Sequence, residues 1–349
     1  MAAPVMNGKE RASMTTQIRQ DHQGVILIAL LWILTILSVI ALSFSRETFV
    51  EVATARNSRD LVDAYYIARA GIASTIFQMY QKTYLTPQAG PANLQQQPPD
   101  AIDLGKVTGQ FGDGEYEVDI QDESGKINLN TVKEDQLRNL VQIIGITDPD
   151  ASTIVDSILD WRDPTPLARP NGAKDEYYQS LTPAYSIWQD GGRMKAVEEL
   201  LLVRGVTSEY YYGRREKTPD GQIVERYGLS RYLTVYGTGQ QINVNSAPLP
   251  VLLSIPNMPP AAAQSIFERR QVKPFAGWDE LNREIVPNPG PSILQYISWG
   301  RRSIFTLTAS AHRTGSKARR VIRAIIRINN PGSQEKYTIL YWNENVPNW

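Results

Sequence analysis

Val25–Phe44 reads VILIALLWILTILSVIALSF. These 20 residues contain no charge, no proline and no glycine. At the helical rise they extend roughly 30 Å, about the hydrocarbon thickness of a bilayer. A surface helix would show a polar stripe, and this run has none.

The flanks matter as much as the run. Upstream, Lys9, Arg11 and Arg19 stand against Glu10 and Asp21, a slight basic excess that points the N-terminus to the cytoplasm. Met1, Met6 and Met14 each offer a translation start ahead of it. Downstream of Ser45 charged and apolar residues mix without a proline until Pro87. Three readings fit. A cleaved secretory signal has a shorter apolar core and a small-residue site after it, which Ala41-Leu42-Ser43 could supply. A plain signal anchor fits the length. A prepilin-type leader is cut after a glycine ahead of the run, and Gly24-Val25 stands where that cut belongs.

Composition narrows the rest. Roughly 300 residues follow the anchor, enough for two or three small domains. Lysine plus arginine and aspartate plus glutamate balance at 36 each, which argues against a strongly basic nucleic-acid binder. With no cysteine, disulfides, thiolate zinc sites and thiol nucleophiles are excluded. The two histidines are His22, in the leader, and His312, so a histidine triad or multi-histidine metal site is not supported.

In chain order, Leu61, Tyr65, Ala68, Ile72, Ile76 and Met79 recur at helical spacing and extend the anchor helix as an amphipathic one. Thr86–Asp100, with four prolines, is a connecting loop. Glu115–Ile120 alternates polar and apolar residues as a half-buried strand does. Ile127-Asn128-Leu129-Asn130-Thr131 then opens a helical region, with Thr131 and Glu134 at capping-box spacing. Two short helices follow, Leu137–Ile144 and Ala151–Trp161. Ile242-Asn243-Val244-Asn245-Ser246 repeats the opening segment, and again two helices follow, so the region is an internal duplication of a helix–hairpin–helix kind. Such units often bind DNA through a glycine-rich hairpin. Here the hairpins read Pro256-Asn257-Met258-Pro259-Pro260, whose prolines lack donors, and Gly145-Ile146-Thr147-Asp148-Pro149-Asp150, whose two acids would repel phosphate, and Arg269, Arg270 and Lys273 are the basic cluster nearby. A bundle or protein-contact role is favoured. Ser303–Ala309, Arg319–Ile328 and Lys336–Trp342 are strands that close an antiparallel sheet. Between Asp160-Trp161-Arg162-Asp163 and Lys174-Asp175-Glu176, two groups of acids bracket an irregular loop. Such a loop could hold calcium, although acids of this kind are more often solvated or helix-capping and no EF-hand pattern is present.

These segments together resemble the minor pseudopilin K family of the type II secretion system (general secretion pathway protein K). The resemblance rests on Gly24 before the apolar run, on Asp122–Asn130 (DESGKINLN), on Asp160–Asp163 (DWRD), on Gly172–Tyr178 (GAKDEYY) and on the second Ile-Asn-Val-Asn segment. It implies an α+β fold, a pilin-like long N-terminal helix packed on an antiparallel sheet, with a large helical insertion containing duplicated helix–hairpin–helix (SAM-like) units. The divisions expected are a leader over 1–24, a transmembrane helix over 25–44, and a pilin-like helix with first strands over 45–125. A first helical domain follows over 126–230, a strand with the second helical unit over 231–290, and closing strands over 291–349.

The resemblance further implies cleavage between Gly24 and Val25 by a prepilin peptidase, and N-methylation of Val25. It implies a single-pass inner-membrane protein with its C-terminal domain in the periplasm, assembled with minor pseudopilins I, J and H, with no enzymatic activity and no nucleic-acid partner. The fifth mature residue would be Ala29, where most pilins carry a glutamate. Lacking that acid, and bearing a bulky insertion, the subunit suits the tip of the pseudopilus. The family is also said to bind calcium, which nominates Asp160, Asp163, Asp175 and Glu176, while Lys174 stands where relatives tend to carry an acid. The competing expectation is a membrane-anchored, competence-type DNA receptor.

Overall fold

The computed structural model describes residues 8–82, 105–187, 192–217, 220–237, 239–284, 291–299, 303–329 and 332–346, with side chains from Gly24 onward except at 283–284 and 291–292. The loop expected over Thr86–Asp100 lies outside the described residues.

One helix, α1 (Gly8–Tyr80), takes up the apolar run and the amphipathic stretch after it without interruption. Its 73 residues span about 110 Å. From Val25 to Phe44 every large side chain is exposed, and an 18-residue window within this part of the helix reaches a mean hydropathy of 3.0. Thr35 and Ser38 donate their hydroxyls to the carbonyls of Trp32 and Leu34 at 2.8 and 2.7 Å, so both are satisfied without water. From Ala64 onward the burial is periodic. Ala64, Ile67, Ala68, Ile72, Thr75, Ile76 and Met79 are covered, while Leu61 and Tyr65 flank the stripe half-buried.

That stripe lies on a five-stranded, wholly antiparallel sheet. The strands are β1 (Gly105–Phe111), β2 (Gly114–Asp122), β9 (Ile304–Arg313), β10 (Arg319–Ile328) and β11 (Tyr337–Asn343), hydrogen-bonded in that order. On β10, Ile322, Ala324, Ile326 and Ile328 are buried toward α1, and Arg323 and Arg327 point away. Burying side chains of this size removes apolar surface at about 1.5–3 kcal/mol each, which is what holds a lone helix on a sheet.

The direction of α1 over the sheet fixes the molecule's polarity. Asp60 meets Arg313 and Ser316, and Ile67 lies against Gly114, all at one end of β2 and β9. Gly71, further along, lies against Tyr116. So α1 runs with β2, and its apolar half projects from the end of the sheet bearing Gly114 and Arg313. The opposite end is where Asp122 pairs with Phe305. There the chain leaves β2 and, some 180 residues later, re-enters β9. The insertion between those strands thus leaves and rejoins the sheet at the end facing away from the apolar half of α1, and among the described residues Glu198 also reaches Arg323 on the sheet face opposite α1.

The insertion has its own apolar core, distinct from that of the sheet. It holds two copies of one unit. In the first, the strand β3 (Ile127–Asn128) is followed by α2 (Glu134–Ile143) and α3 (Asp150–Arg162). In the second, β7 (Ile242–Asn243) is followed by α6 (Leu249–Ser254) and α7 (Pro260–Val272). Each short strand pairs in parallel with a later one, β3 with β6 (Leu233–Thr234) and β7 with β8 (Ile297–Ser298).

The equivalence extends to single bonds. Asn128 Oδ1 accepts from the N–H of Asn130 at 2.9 Å, and Asn243 Oδ1 from that of Asn245 at 3.0 Å. The Asn130 side chain exchanges two bonds with the backbone of Met194, and Asn245 does the same with Phe275. An arginine near the end of the second helix then clamps the turn. Arg162 donates to the carbonyls of Leu129 and Val132, and Arg270 to those of Val244 and Ala247. The repeated Ile-Asn-x-Asn is thus a backbone-fixing device: each asparagine side chain satisfies main-chain groups that a two-residue strand leaves over. The capping box expected at Thr131 does not form. Lys133 precedes α2, and the Thr131 hydroxyl turns to the carbonyl of Gly239.

The junction between sheet and insertion is the segment DESGK, residues 122–126. Asp122 takes the N–H and hydroxyl of Ser124. Glu123, 2% exposed, is paired with Lys126 and with the Thr306 hydroxyl at 2.6 Å. Gly125 lets the backbone of the second copy close in: a Cβ there would lie 2.6 Å from the carbonyl carbon of Ser246.

Candidate functional site

Two regions carry the site residues expected from the sequence. The first is the fore-end of the apolar helix. Gly24, Val25 and Ala29 all lie within α1 and are exposed, and a Cβ at Gly24 would stand in open space. The helix continues through the Gly24–Val25 bond.

The second region is the segment between α3 and Met194. In the second copy two residues, Lys273 and Pro274, join α7 to Phe275; in the first, about 30 residues separate α3 from Met194, which occupies the same place. This insert folds back over α3 and carries α4 (Asp175–Gln179). Its acids serve as anchors for its own backbone. Asp156, 5% exposed, accepts from the N–H and side chain of Asn171 at 3.1 and 3.2 Å. Asp160, fully buried, accepts from the N–H of Arg169 at 3.0 Å on one oxygen and from its guanidinium at 2.9 Å on the other. Asp163 accepts from the N–H and hydroxyl of Thr165 at 3.0 Å each, with Arg169 at 3.3 Å on its second oxygen. The bond from the Thr165 backbone is the main cause that holds the Asp163 carboxyl below its ordinary range, against a smaller opposing effect of burial. Asp175 accepts from the N–H of Ile187 at 2.9 Å and from the Gln179 side chain. Glu176 is exposed.

Lys174 stands among these groups with 8% exposure. Its ammonium donates to the carbonyl oxygens of Asp160 and Asp163 at 3.0 and 2.8 Å, and lies 3.7 Å from Asp160 Oδ1. Both carbonyls belong to the C-terminal end of α3, where main-chain acceptors have no helical partner and the dipole is negative. Arg204 donates to the carbonyl of Gly172 at 2.9 Å from the other side. Gly172 itself could not be anything larger, since a Cβ would fall 1.9 Å from Asp160 Oδ2.

The four acids nominated from sequence are therefore not gathered around one point. Asp160 and Asp163 share Arg169; Asp175 and Glu176 lie on α4 and face elsewhere. Among the described residues no three acids or histidines converge as metal ligands. Sequence reasoning missed Asp156, Arg169 and Asn171. A signal existed for the first: Asp156 and Asp160 are four apart in a helix whose neighbouring positions are Ile154, Val155, Ile158 and Leu159, so both acids had to be buried together.

Each member of the basic cluster weighed for DNA has a partner within the chain, Lys273 at the surface. Arg270 clamps the second turn, Arg269 donates to the carbonyl of Lys273, and Lys273 pairs with Glu280 at 2.8 Å. Asp148, in the first hairpin, takes the N–H and hydroxyl of Ser152.

Comparison with known proteins agrees with this architecture. Residues 119–213 match the family model described as type II secretion system (T2SS), protein K. Type II secretion system protein K of Pseudomonas aeruginosa is 24% identical over 286 residues, covering 77% of this chain and 78% of the relative. The protein of the same name from Aeromonas hydrophila is 26% identical over 210 residues, 54% of this chain and 60% of that one. The fold is shared, at 16% identity and a TM-score of 0.57, with a chain in the crystal structure of the GspK-GspI-GspJ complex from the enterotoxigenic Escherichia coli type 2 secretion system. That likeness covers 84% of this chain and all of the other. With the long apolar helix, the sheet and the matched insertion in one chain, this protein is similar in sequence and in fold to type II secretion system protein K.

Proposed function

We propose that the chain is a minor pseudopilin of a type II secretion system, anchored in the inner membrane by α1 and standing at the tip of the pseudopilus. It assembles there with pseudopilins I and J, as the relative of known structure does with GspI and GspJ. One observation carries the tip assignment: the insertion of some 180 residues leaves and re-enters the sheet at the end facing away from the anchor. A helical fibre grows by adding subunits in register along its axis, and a bulky body on the outward end leaves no seat for another copy above it. Ala29 supports the same reading, because a subunit with no neighbour above has no amine to pair with an acid at that depth. Lateral contacts have a surface to use. Beyond the lipid-length run, α1 exposes Val62, Tyr66 and Phe77 on the side away from the sheet, an apolar flank suited to neighbouring helices.

On this reading a prepilin peptidase cuts between Gly24 and Val25, Val25 becomes the methylated N-terminus, and the folded part lies in the periplasm. The protein is a structural component and does no chemistry of its own. The deciding experiment purifies the full chain from its own host membrane with its pseudopilins. Mass spectrometry should find a chain beginning at a methylated Val25, co-purifying with the I and J subunits, and a deletion strain should retain exported proteins in the periplasm. A chain retaining its leader, or secretion untouched by the deletion, would sink the proposal.

A further inference from the structure

We propose that Lys174 is a tethered cation occupying the place a divalent ion would take, so that the insert between α3 and Met194 folds without calcium. The surroundings are those a hard cation seeks: the carbonyl oxygens of Asp160 and Asp163 at the end of α3 and the carboxylate of Asp160. Yet the ammonium is already seated there at 2.8 and 3.0 Å from the carbonyls, and it is buried.

The donor set does not fit a divalent ion as well. Calcium takes six to eight oxygens. Both oxygens of Asp160 are engaged by Arg169, Asp163 Oδ1 by Thr165, and both oxygens of Asp175 by Ile187 and Gln179. Charge gives the same answer. Asp160 and Asp163 supply two negative charges, and Arg169 with Lys174 supplies two positive ones, all within contact. A divalent ion added to this balanced set would sit a few ångströms from a buried ammonium, and at low dielectric that repulsion is severe. Geometry at Lys174 completes the argument. It precedes α4 in extended conformation, which aims its side chain back over the end of α3. A lysine is long enough to deliver its charge to carbonyls that an acid could reach only through a metal.

The test uses the full chain in detergent micelles. Its Tm should be the same in EGTA and in about 1 mM calcium, a concentration at which extracellular calcium modules fill, and calorimetric titration with calcium chloride should give no binding heat. Lys174→Met, which keeps the length and removes the charge, should lower Tm by several degrees in both solutions. Lys174→Asp should lower Tm further in EGTA and recover with calcium, because it trades the built-in cation for a ligand. Calcium binding by the unaltered chain, an unchanged Tm in Lys174→Met, or a Lys174→Asp chain indifferent to calcium would each overturn the proposal. If Lys174→Asp does not accumulate as folded protein, the titration of the unaltered chain and the Tm of Lys174→Met decide.

Discussion

A buried aspartate is costly unless every lone pair is answered, and Asp160 shows how this chain answers them. One oxygen takes a backbone N–H, the other a guanidinium, and a glycine at 172 leaves room for both. Asp156 was passed over, while Asp160 and Asp163 were legible in the sequence as neighbouring acids. Their partners were not, because Arg169 and Asn171 reach them only once the insert has folded back over α3, and no periodicity marks such a return. The clamping arginines were more readable, since Arg162 and Arg270 close their helices at matching points of a visible repeat. Each ties down two carbonyls, of Leu129 and Val132 in one copy and of Val244 and Ala247 in the other. If the copies are energetically as well as geometrically alike, Arg162→Met and Arg270→Met should each cost about 1–3 kcal/mol, the usual penalty for orphaned acceptors that were held by a charged donor. Urea unfolding of the two variants checks this; a neutral Arg270→Met would mean the second clamp is ornamental.

At the scale of elements, the regular pieces followed from pattern. The stripe from Leu61 to Met79 became the buried face of α1, and Arg319–Ile328 became β10 residue for residue, because burial on one face imposes periods of 3.6 and 2 on the sequence. The capping box at Thr131 failed because α2 begins at Glu134 with Lys133 immediately ahead of it, so Thr131 lies outside the capping position and its hydroxyl bonds across to Gly239. What joins α1 to the sheet beyond apolar contact is ionic and was invisible in sequence. Arg313 sits between Asp113 at 2.9 Å and Asp60 at 3.3 Å. Its hydrogen bond is the main cause lowering the Asp113 carboxyl, while Asp60 is lowered first by the Ser316 hydroxyl, against an opposing effect of burial, and then by Arg313. A carboxyl depressed in the folded state stabilises above its unfolded pKa, about 3.9 for aspartate, and that stabilisation is lost as pH falls through the lower folded value. The expected profile is therefore flat from about pH 5 to 7 and falls below about pH 4. Arg313→Gln should lower Tm at pH 7, and its deficit against the unaltered chain should shrink at pH 3. A deficit that persists at pH 3 would make the contribution of Arg313 one of packing rather than charge.

At the scale of the whole molecule, two cores meet along a polar seam. The sheet core under α1 and the helical core of the insertion are separate clusters, joined through DESGK, the Thr306 contact and the pairing of Glu198 with Arg323 on the sheet face away from α1. The sequence showed the insertion and its internal repeat. It could not show which end of the sheet they occupy, because that depends on the direction α1 takes across β2, set by the meeting of Asp60 with Arg313 and of Ile67 with Gly114. That polarity makes the functional reading separable from folding. Asp122 and Phe305 are paired neighbours on adjacent antiparallel strands, so residues 123–304 can be replaced by a two-residue Asn-Gly turn without asking the sheet to move. The shortened chain should still insert in the membrane and unfold cooperatively, since its core under α1 is complete without the insertion. On the proposed tip role, exported proteins should nevertheless accumulate in the periplasm of a strain carrying it, because the body proposed to close the outward end of the fibre is gone. Secretion that survives the excision would place the function in the anchor and sheet alone; a shortened chain that melts non-cooperatively would show that the two cores stabilise one another across the seam. Adding Ala29→Glu to the shortened chain sharpens the comparison. With its outward end open and an acid restored at the fifth mature position, that subunit should be found along the shaft of the pseudopilus, whereas Ala29→Glu in the full-length chain should leave it at one end.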